Sequence, residues 1–205
     1  MDQARSIPRD PVPHDRPRQV GLPERVRTER LVLRPFDAAD APRVFDIHSR
    51  LEVIRWLDDP PHEPMQRLDQ AEAWIERWRE KAAADPAQGA RAIEVAATGE
   101  VAGAVLIARL ERRAGGFVGE YEIGWHLHPD ATGQGLATEA ARGWAEAGLA
   151  AGHATLFVDM FPDNAPSMRV AQRLAARDHG EVDDPWYAGR SRLFSLGAPP
   201  GRIAP

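Results

Sequence analysis

The sequence contains no cysteine, only one lysine (Lys81) and no long hydrophobic run. The lack of cysteine excludes disulfides, thiolate metal ligands and a cysteine nucleophile. No apolar stretch approaches the roughly 18 residues of a membrane-spanning helix, and residues 1–21 lack the apolar centre of a signal peptide. The formal charge of −5 provides no basic footprint for nucleic acid. We therefore expect a cytoplasmic protein that binds neither membrane nor nucleic acid and holds no metal.

With 205 residues, 43% of them hydrophobic, the chain can bury one substantial core, so a single domain is expected. The predicted domain covers residues 23–196. Residues 1–22, which mix proline, arginine and aspartate, are predicted to be a disordered tail, and residues 197–205, which contain several glycines and prolines, a second one.

Hydrophobic periodicity predicts an α/β (α+β) fold with a mixed central sheet of six to seven strands and about four helices. Strands are predicted at residues 30–36, 91–96, 101–108, 121–127, 155–160 and 192–196. Helices are predicted at about residues 38–50, 68–84, 136–150 and 165–177, with Asp37 and Asn164 as N-caps, and residues 181–189 are predicted to be irregular. The early strands should be antiparallel, and a strand–helix–strand crossover should follow them.

The most informative segment runs from Ile123 to Ala140, where an apolar strand, a turn with two glycines and an alanine-rich helix follow one another. Gly133 and Gly135 allow backbone conformations that a Cβ forbids, and the first amides of the helix point outward at its positive end. A diphosphate would fit there. By itself the motif is weak, since it lacks the third glycine of a dinucleotide fingerprint and the Lys-Ser/Thr of a P-loop. A turn without a ligand is the alternative.

Two further segments accompany this turn. Thr28-Glu29-Arg30-Leu31-Val32-Leu33-Arg34 is followed, much later, by Asn164-Ala165-Pro166-Ser167 with Val170 and Arg173-Leu174. Together with the segment from Tyr121 to Ala140, these resemble the GCN5-related N-acetyltransferases (GNAT), specifically the branch that acetylates the N-termini of ribosomal proteins. The first is similar to the branch's T-x-R-L-x-L-R strand, the second to its acetyl-CoA signature and the third to its N-x-x-S helix start.

The sequence departs from the family pattern at two places. Asp130 occupies a position where the family often has Gln or Arg, which removes a favourable donor near the expected phosphates. After Leu174 the family tends to continue with Gly-Phe, whereas this chain has Ala175-Ala176, which affects local packing more than chemistry.

The resemblance implies that an amine attacks the thioester of acetyl-CoA directly, within a ternary complex. It implies that backbone amides bind the diphosphate, namely those of Gly133, Gln134, Gly135, Leu136, Ala137 and Thr138. Leu127 would offer main-chain groups to the pantetheine arm. Asn164 would contact the pantetheine as well, although a role as N-cap alone is the alternative.

The amine must lose a proton, and Glu122 is the first candidate for the general base, with an ordinary strand ion pair as the alternative. His126 lies on the same strand face and has a suitable ordinary pKa, although a lone strand histidine is more often structural. The resemblance assigns protonation of the leaving thiolate to Ser167, which could instead only bond the backbone. Tyr187 is a further proton donor, or else part of the acceptor pocket.

The leading function is acetyl-CoA-dependent N-acetylation of a primary amine, either a protein N-terminus or a small molecule. The alternatives are a non-catalytic acyl-CoA-binding module on the same fold and a nucleotide-binding domain that uses the Gly133-x-Gly135 turn alone. The acceptor site is expected between residues 45–64 and 183–189. Acidic residues there would attract a cationic amine or be ordinary solvated charges; they are Asp58, Asp59, Glu63, Asp183 and Asp184. The family analogy suggests a homodimer, which no sequence feature establishes.

Overall fold

The computed structural model describes residues 21–57 and 60–200. These residues form one eight-stranded sheet with five helices around it. The strands are β1 (Val26–Arg27), β2 (Leu31–Arg34), β3 (Gly89–Val95), β4 (Val101–Glu111), β5 (Phe117–Leu127), β6 (Thr155–Met160), β7 (Arg177–Asp183) and β8 (Arg190–Gly197). The helices are α1 (Ala41–His48), α2 (Leu51–Ile54), α3 (Leu68–Ala84), α4 (Leu136–Ala150) and α5 (Ala165–Arg173).

The sheet is mixed, with the strand order β1-β2-β3-β4-β5-β6-β8-β7. Strands β1 to β5 are antiparallel neighbours, β5 and β6 are parallel, and β8 lies between β6 and β7 as an antiparallel partner of both. Helix α4 connects the parallel pair, as expected for a crossover. The predicted mixed α/β fold is confirmed, with one strand more than the expected six or seven.

The two faces of the sheet bury two different apolar clusters. On one face, α4 packs Trp144 and Ala140 against Ile107 and Ile123 of the central strands. On the other face, α1 and α3 pack against β3 and β4, and Ala71 and Ile75 of α3 are buried there. The alternation predicted for β5 is therefore confirmed, because Tyr121 and Ile123 face the α4 side while Glu122 and Gly124 face the opposite side.

The chain between β2 and α1 is fixed by charged hydrogen bonds. Asp37 accepts the backbone N–H of Ala39, and Asp40 accepts the backbone N–H of Asp37, so Asp37 is an N-cap within a reciprocal capping box. It caps a short 3₁₀ turn, Ala38–Asp40, which precedes α1, rather than the single helix predicted from residue 38 to residue 50. Arg34 binds both carboxylate oxygens of Asp40, at 2.7 and 3.0 Å, and also binds Glu94. These contacts orient α1 toward the sheet face that carries Glu122.

The region after α5 differs from the prediction. Helix α5 ends at Arg173 rather than near Arg177, and strand β7 covers residues that were predicted to be helical or irregular. Ala175 has φ +56°, and the amides of Ala175 and Ala176 bond the carbonyls of Gln172 and Ala171. This is a Schellman motif, which usually has glycine at the position of Ala175. Because alanine stands where a glycine usually marks the end of a helix, the end of α5 was not predicted.

The limits of the expected tails fall only partly within the described residues. Gly197, which was predicted to begin a tail, is instead the last residue of β8, and Ala198 donates its N–H to the carbonyl of Ala154 at 2.8 Å. Leu22, predicted to end the other tail, packs against the main core and donates its N–H to the carbonyl of Pro86. Residues 1–20 and 201–205 lie outside the described residues, and the domain limits stay a prediction.

Candidate functional site

The turn between β5 and α4 has the geometry that its glycines suggested. Gly133 and Gly135 have φ values of +76° and +79°, which side chains with a Cβ rarely adopt. Gly135 is the N-cap of α4 and offers no side-chain hydrogen bond to the first turn of the helix. The first amides of α4 therefore have neither a partner within the helix nor a capping side chain. Nearby, the hydroxyl of Thr138 is buried without a partner among the described residues.

Glu139 joins this turn to the strand at the start of the domain. Its carboxylate accepts the hydroxyl of Thr28, and the backbone N–H and guanidinium of Arg30 donate to it at 2.7 Å each. Arg30 also donates to the carbonyl of Gln134 at 3.0 Å. Burial alone would raise the pKa of Glu139, but these hydrogen bonds outweigh it and lower that pKa. The T-x-R segment therefore holds the glycine turn in place.

Arginine side chains flank the same helix start. An open recess beside the first turn of α4 is lined by Gly135, Thr138, Glu139, Glu29, Arg142 and Arg173. The guanidinium of Arg142 donates to the carbonyl of Arg173 at 2.9 Å, so it is directed along the recess. Neither arginine was predicted as a ligand-binding residue, because the two lie on different helices that only the tertiary fold brings together.

Strands β5 and β6 leave a gap in the sheet beside this turn. Within the described chain, the two strands pair at Glu122 and Phe157, and their ladder does not extend beyond this one pair. The part of β5 from Ile123 to Leu127 therefore has main-chain groups that face the gap rather than a neighbouring strand. A cavity of about 250 Å³ opens at this gap. It reaches from Asn164 and Ser167 on one side to α3 on the other.

Glu122 lies in the wall of the cavity and is held from the opposite side of the gap. The hydroxyl of Tyr187, in the loop between β7 and β8, donates to Glu122 Oε1 at 2.8 Å. The neighbouring Trp186 is buried against Phe157, and its indole N–H donates to Glu120 at 2.8 Å. The structure thus brings two of the predicted residues, Glu122 and Tyr187, into direct contact.

A pair of buried carboxyl groups lies next to Glu122 and was missed at the sequence level. Asp159 lines the cavity, and Ser191 donates to it at 3.2 Å and also contacts Asp184. Burial, followed by the hydrogen bond and charge of Asp184, raises the pKa of Asp159 to about 9. Burial alone would raise the pKa of Asp184, but its hydrogen bonds lower it. At neutral pH the proton therefore resides on Asp159, inside the cavity.

The predicted histidine of this face is paired with another histidine. His126 Nε2 lies 2.9 Å from His48 Nε2, and both rings line the cavity. Burial, with a smaller contribution from Arg77, lowers the pKa of His48 to about 4. Burial and the neighbouring His48 also lower the pKa of His126 well below its usual range. Both rings are neutral at physiological pH, so neither is a strong proton acceptor there.

The start of α5 forms another part of the cavity. Asn164 is buried and accepts the backbone N–H of Ser167 at 3.2 Å, so it does act as an N-cap. Ser167 is half-buried and lines the cavity together with Asn164. The capping contact and a contact to a ligand are compatible, because the cap uses only the amide oxygen of Asn164.

Aromatic rings form the wall opposite the gap. Trp74 and Trp78 of α3 pack beside the core cluster of that sheet face, and they also line the cavity. Trp56, Leu57 and Phe161 line it as well. The helical period identified the buried side of α3, but it could not distinguish a wall of a cavity from a core contact.

The predicted acidic rim is largely wrong for the residues that the structure describes. Asp184 is buried beneath the cavity, while Asp183 and Glu63 are exposed and do not line it. Asp183 lies 3.5 Å from Arg190, as surface charges often do. Asp58 and Asp59 lie outside the described residues. The exposed charged residues that line the cavity are instead Lys81 and Arg109.

No helix among residues 21–57 and 60–200 is both long and apolar enough to cross a membrane. Within the same ranges, no group of three or more histidine, aspartate or glutamate side chains could hold a metal ion.

The structure thus combines a mixed sheet with a gap between two parallel strands, an uncapped helix start beside that gap and a carboxyl group within it. The chain belongs to the GNAT acetyltransferase family, because its residues 30–177 match the acetyltransferase (GNAT) domain of that family. This confirms the family resemblance drawn from the three sequence segments. No curated protein shows significant similarity to the chain.

Solved structures resemble the fold of this chain over most of their length. RimJ from Mycobacterium smegmatis, in complex with CoA-disulfide, is 20% identical with a TM-score of 0.69, covering 85% of this chain and 87% of its own. An acetyltransferase from Salmonella typhimurium that modifies the N-terminal serine of a ribosomal subunit protein is 15% identical (TM-score 0.67; 84% and 97% covered). The microcin self-immunity acetyltransferase MccE, in complex with acetyl-CoA and AMP, is also 15% identical (TM-score 0.67; 83% and 93% covered). At these identities the likeness shows the fold alone.

Proposed function

We propose that this chain uses acetyl-CoA to acetylate a primary amine, which attacks the thioester directly while both substrates are bound. The observation that carries the proposal is the convergence of three features on one gap. These are the uncapped amides at the start of α4, the unpaired edge of β5 and the Glu122 carboxyl group in the adjoining cavity.

The start of α4 fits the diphosphate of acetyl-CoA. A Cβ built on Gly133 would meet nothing within 4 Å, so the space outside the turn is open to a ligand. Amides of residues 133–138 would bind the phosphate oxygens, and the partnerless Thr138 hydroxyl can donate to one of them. Two solved structures of the same fold contain acetyl-CoA or a CoA-disulfide, which supports this assignment.

The arginines beside α4 fit the remaining phosphate of CoA. Arg142 and Arg173 line the recess next to the first turn, and two guanidinium groups suit a phosphate that carries up to two negative charges. Arg30, whose guanidinium is paired with Glu139, also donates to the carbonyl of Gln134 and so holds the turn itself. These residues would compensate for Asp130, the acid that replaces a donor of the family pattern.

The gap in the sheet fits the pantetheine arm. Main-chain groups of β5 up to Leu127 can bond its amides as a neighbouring strand would, and Asn164 and Ser167 face it from α5. This arrangement directs the thioester toward the cavity wall that contains Glu122 and Asp159. Fixed backbone dipoles of β5 would also polarise the thioester carbonyl.

Glu122 is proposed as the general base that removes a proton from the acceptor ammonium, directly or through a water. Its contact with the Tyr187 hydroxyl fixes its position in the cavity. His126 is less suited to this role, because burial and its contact with His48 keep its pKa low. As the C–N bond forms and the C–S bond breaks, a proton must reach the CoA sulfur, and Ser167 or Tyr187 could donate it.

The base can be tested with Glu122→Gln, which keeps an acceptor for the Tyr187 hydroxyl. We expect kcat at neutral pH to fall by about 10²-fold or more, with partial recovery at high pH, where the amine loses its proton without help. The KM for acetyl-CoA should not change. The measurement is the rate of CoA thiol release with an amine substrate.

Glu181→Gln is the matched control, because Glu181 is an exposed glutamate on β7 far from the gap. The control should retain the activity of the unmodified protein. A Glu122→Gln variant with normal kcat would remove Glu122 from the mechanism. Binding of acetyl-CoA without any CoA release across an amine panel would favour the non-catalytic acyl-CoA-binding alternative.

A further inference from the structure

The acceptor side of the cavity is built mainly from aromatic rings. Trp74 lies edge-on against Trp78, with ring centroids 6.1 Å apart, and also against His126 at 6.5 Å. Across the cavity, the rings of Trp56 and Phe161 lie 6.4 Å apart. Such surfaces bind flat apolar groups well, because each ring contributes a large contact area with little loss of conformational freedom.

This wall has few polar groups for a peptide backbone. The two histidines in it bond to each other through their Nε2 atoms. The remaining polar side chains gather around the gap, where Glu122, Tyr187, Asp159 and Ser191 lie close together. A peptide acceptor would leave its amide groups against indole rings, and an unbonded amide removed from water is costly.

Charge at the outer end of the cavity limits the acceptor further. Lys81 and Arg109 are exposed and line the cavity, and the Lys81 Nζ lies 4.7 Å from the centre of the Trp78 ring. Among the described lining residues, Glu122 and Asp159 are the acids, and Asp159 is neutral at physiological pH. One ammonium can therefore pair with one carboxylate, while a second ammonium would meet Lys81; the Arg109 guanidinium is already paired with Glu111 at 3.0 Å.

The cavity is also small. Its volume of about 250 Å³ lies below the roughly 300–1,000 Å³ that is typical of small-molecule sites. The acetyl group of the donor must occupy part of the same space, so the acceptor can contribute only a few atoms beyond one ring.

From the aromatic wall, the single carboxylate and the positive outer end, we infer that the acceptor is a small primary monoamine on a short chain attached to an aromatic ring. This inference rests on the proposed function and narrows its acceptor. It excludes polyamines and protein N-termini as preferred substrates.

The test is CoA thiol release by the full chain at saturating acetyl-CoA with four primary amines. These are 2-phenylethylamine, n-butylamine, putrescine and a tetrapeptide amide that begins with serine. We expect kcat/KM for 2-phenylethylamine to exceed that for n-butylamine by about tenfold or more, and those for putrescine and the peptide by about 100-fold.

A higher kcat/KM for putrescine or for the peptide than for 2-phenylethylamine would overturn the inference, as would turnover of another of the four amines without turnover of 2-phenylethylamine. Failure of the proposed function gives a different result, since none of the four amines would then be turned over, whether or not calorimetry shows binding of acetyl-CoA. The two failures are therefore distinguishable.

Substitutions in the wall provide the second readout. Trp78→Ala should raise the KM for 2-phenylethylamine about tenfold and leave the KM values for n-butylamine and acetyl-CoA within about twofold. Trp78 packs beside a core cluster, so the Trp78→Ala variant could fail to fold. Trp56 also lines the cavity but lies outside the core clusters, and Trp56→Ala then provides the same test. Val118→Ala is the control, because Val118 is an exposed apolar residue that does not line the cavity. An unchanged preference in Trp56→Ala would overturn the inference.

Discussion

At the scale of single residues, Asp159 is the side chain whose behaviour depends most on its surroundings. It lies on β6 between two buried apolar residues, Val158 and Met160. Its pKa is raised first by burial and then by Asp184, which is 25 positions further along the chain. The sequence identified the strand from its apolar character. It could not identify the carboxyl pair, because only the pairing of β6 with β8 and the fold of the loop before β8 bring the two acids together.

The raised pKa of Asp159 makes stability depend on pH. A carboxyl group that binds its proton more tightly in the folded state contributes full stability below its unfolded pKa of about 4 and loses it as pH rises toward the folded value of about 9. Asp159→Asn mimics the protonated form, so the variant should lack this loss. Denaturant titrations from pH 4 to 9 should show the free energy of unfolding of the variant rising, relative to that of the unmodified protein, by up to about 1.4 kcal/mol per pH unit. A difference independent of pH would mean that Asp159 is ionised.

Ala175 is a second such residue, because its backbone adopts a left-handed conformation that alanine rarely adopts. Its φ of +56° costs an L-residue roughly 1–2 kcal/mol, which glycine avoids. Ala175→Gly should therefore stabilise the fold by about 0.5–1 kcal/mol, after the greater freedom of glycine in the unfolded chain is subtracted. Thermal or denaturant unfolding measures this gain. Ala83→Gly, on the exposed side of α3, should instead destabilise the fold. A loss of stability in both variants would contradict the strain at Ala175.

At the scale of elements, the prediction was most accurate where hydrophobic period and turn signals agreed. The bounds of α3, α4 and β6 match the predicted ones, because Asp85-Pro86, the glycine turn and the apolar run of β6 mark them clearly. Strand β7 was missed because it is a polar edge strand, in which only Val182 is strongly apolar, so its sequence contains no apolar alternation. The lack of a glycine after α5 hid the end of that helix.

The contact between Glu139 of α4 and the segment before β2 is the element-scale feature most relevant to function. Glu139→Gln should cost about 1.5–3 kcal/mol of stability, because Thr28 and Arg30 lose a charged acceptor in a half-buried site. It should also raise the KM for acetyl-CoA severalfold, since Arg30 and the first turn of α4 would no longer be held together. Unfolding curves and steady-state kinetics measure the two effects.

Glu146→Gln is the control on the same helix, since Glu146 is exposed and distant from the turn. It should change neither stability nor KM appreciably. Normal KM in a destabilised Glu139→Gln variant would restrict this contact to a structural role. The lowered pKa of Glu139 adds a pH effect, because stability that depends on its ionised form is lost as pH falls through the folded pKa.

At the scale of the whole molecule, the fold and the glycine turn were predictable, whereas the acceptor side of the cavity was not. The turn lies within one continuous segment from β5 to α4, so its glycines and strand pattern are visible in the sequence. The acceptor side combines residues of α1, α3, β4, β6 and the loop before β8, which are separated by up to about 140 positions. Its aromatic wall and carboxyl pair exist only after folding, which is why the acidic rim expected at Glu63, Asp183 and Asp184 was wrong.

In the proposed mechanism the two substrates lie on opposite sides of the same gap in the sheet. The amides at the start of α4 would bind the carrier, and the carboxyl and aromatic groups on the other sheet face would receive the amine. The central claim is therefore the position of the diphosphate at the start of α4, because the direction of the thioester follows from it.

Amide chemical shifts of ¹⁵N-labelled protein during a titration with CoA test this position most directly. The backbone amides of residues 133–138 should show the largest shift changes, saturating at one CoA per chain, because phosphate oxygens bonded to those N–H groups strongly alter their shielding. Saturable binding in which these amides keep their shifts while others move, or no binding of CoA at all, would contradict the proposed site.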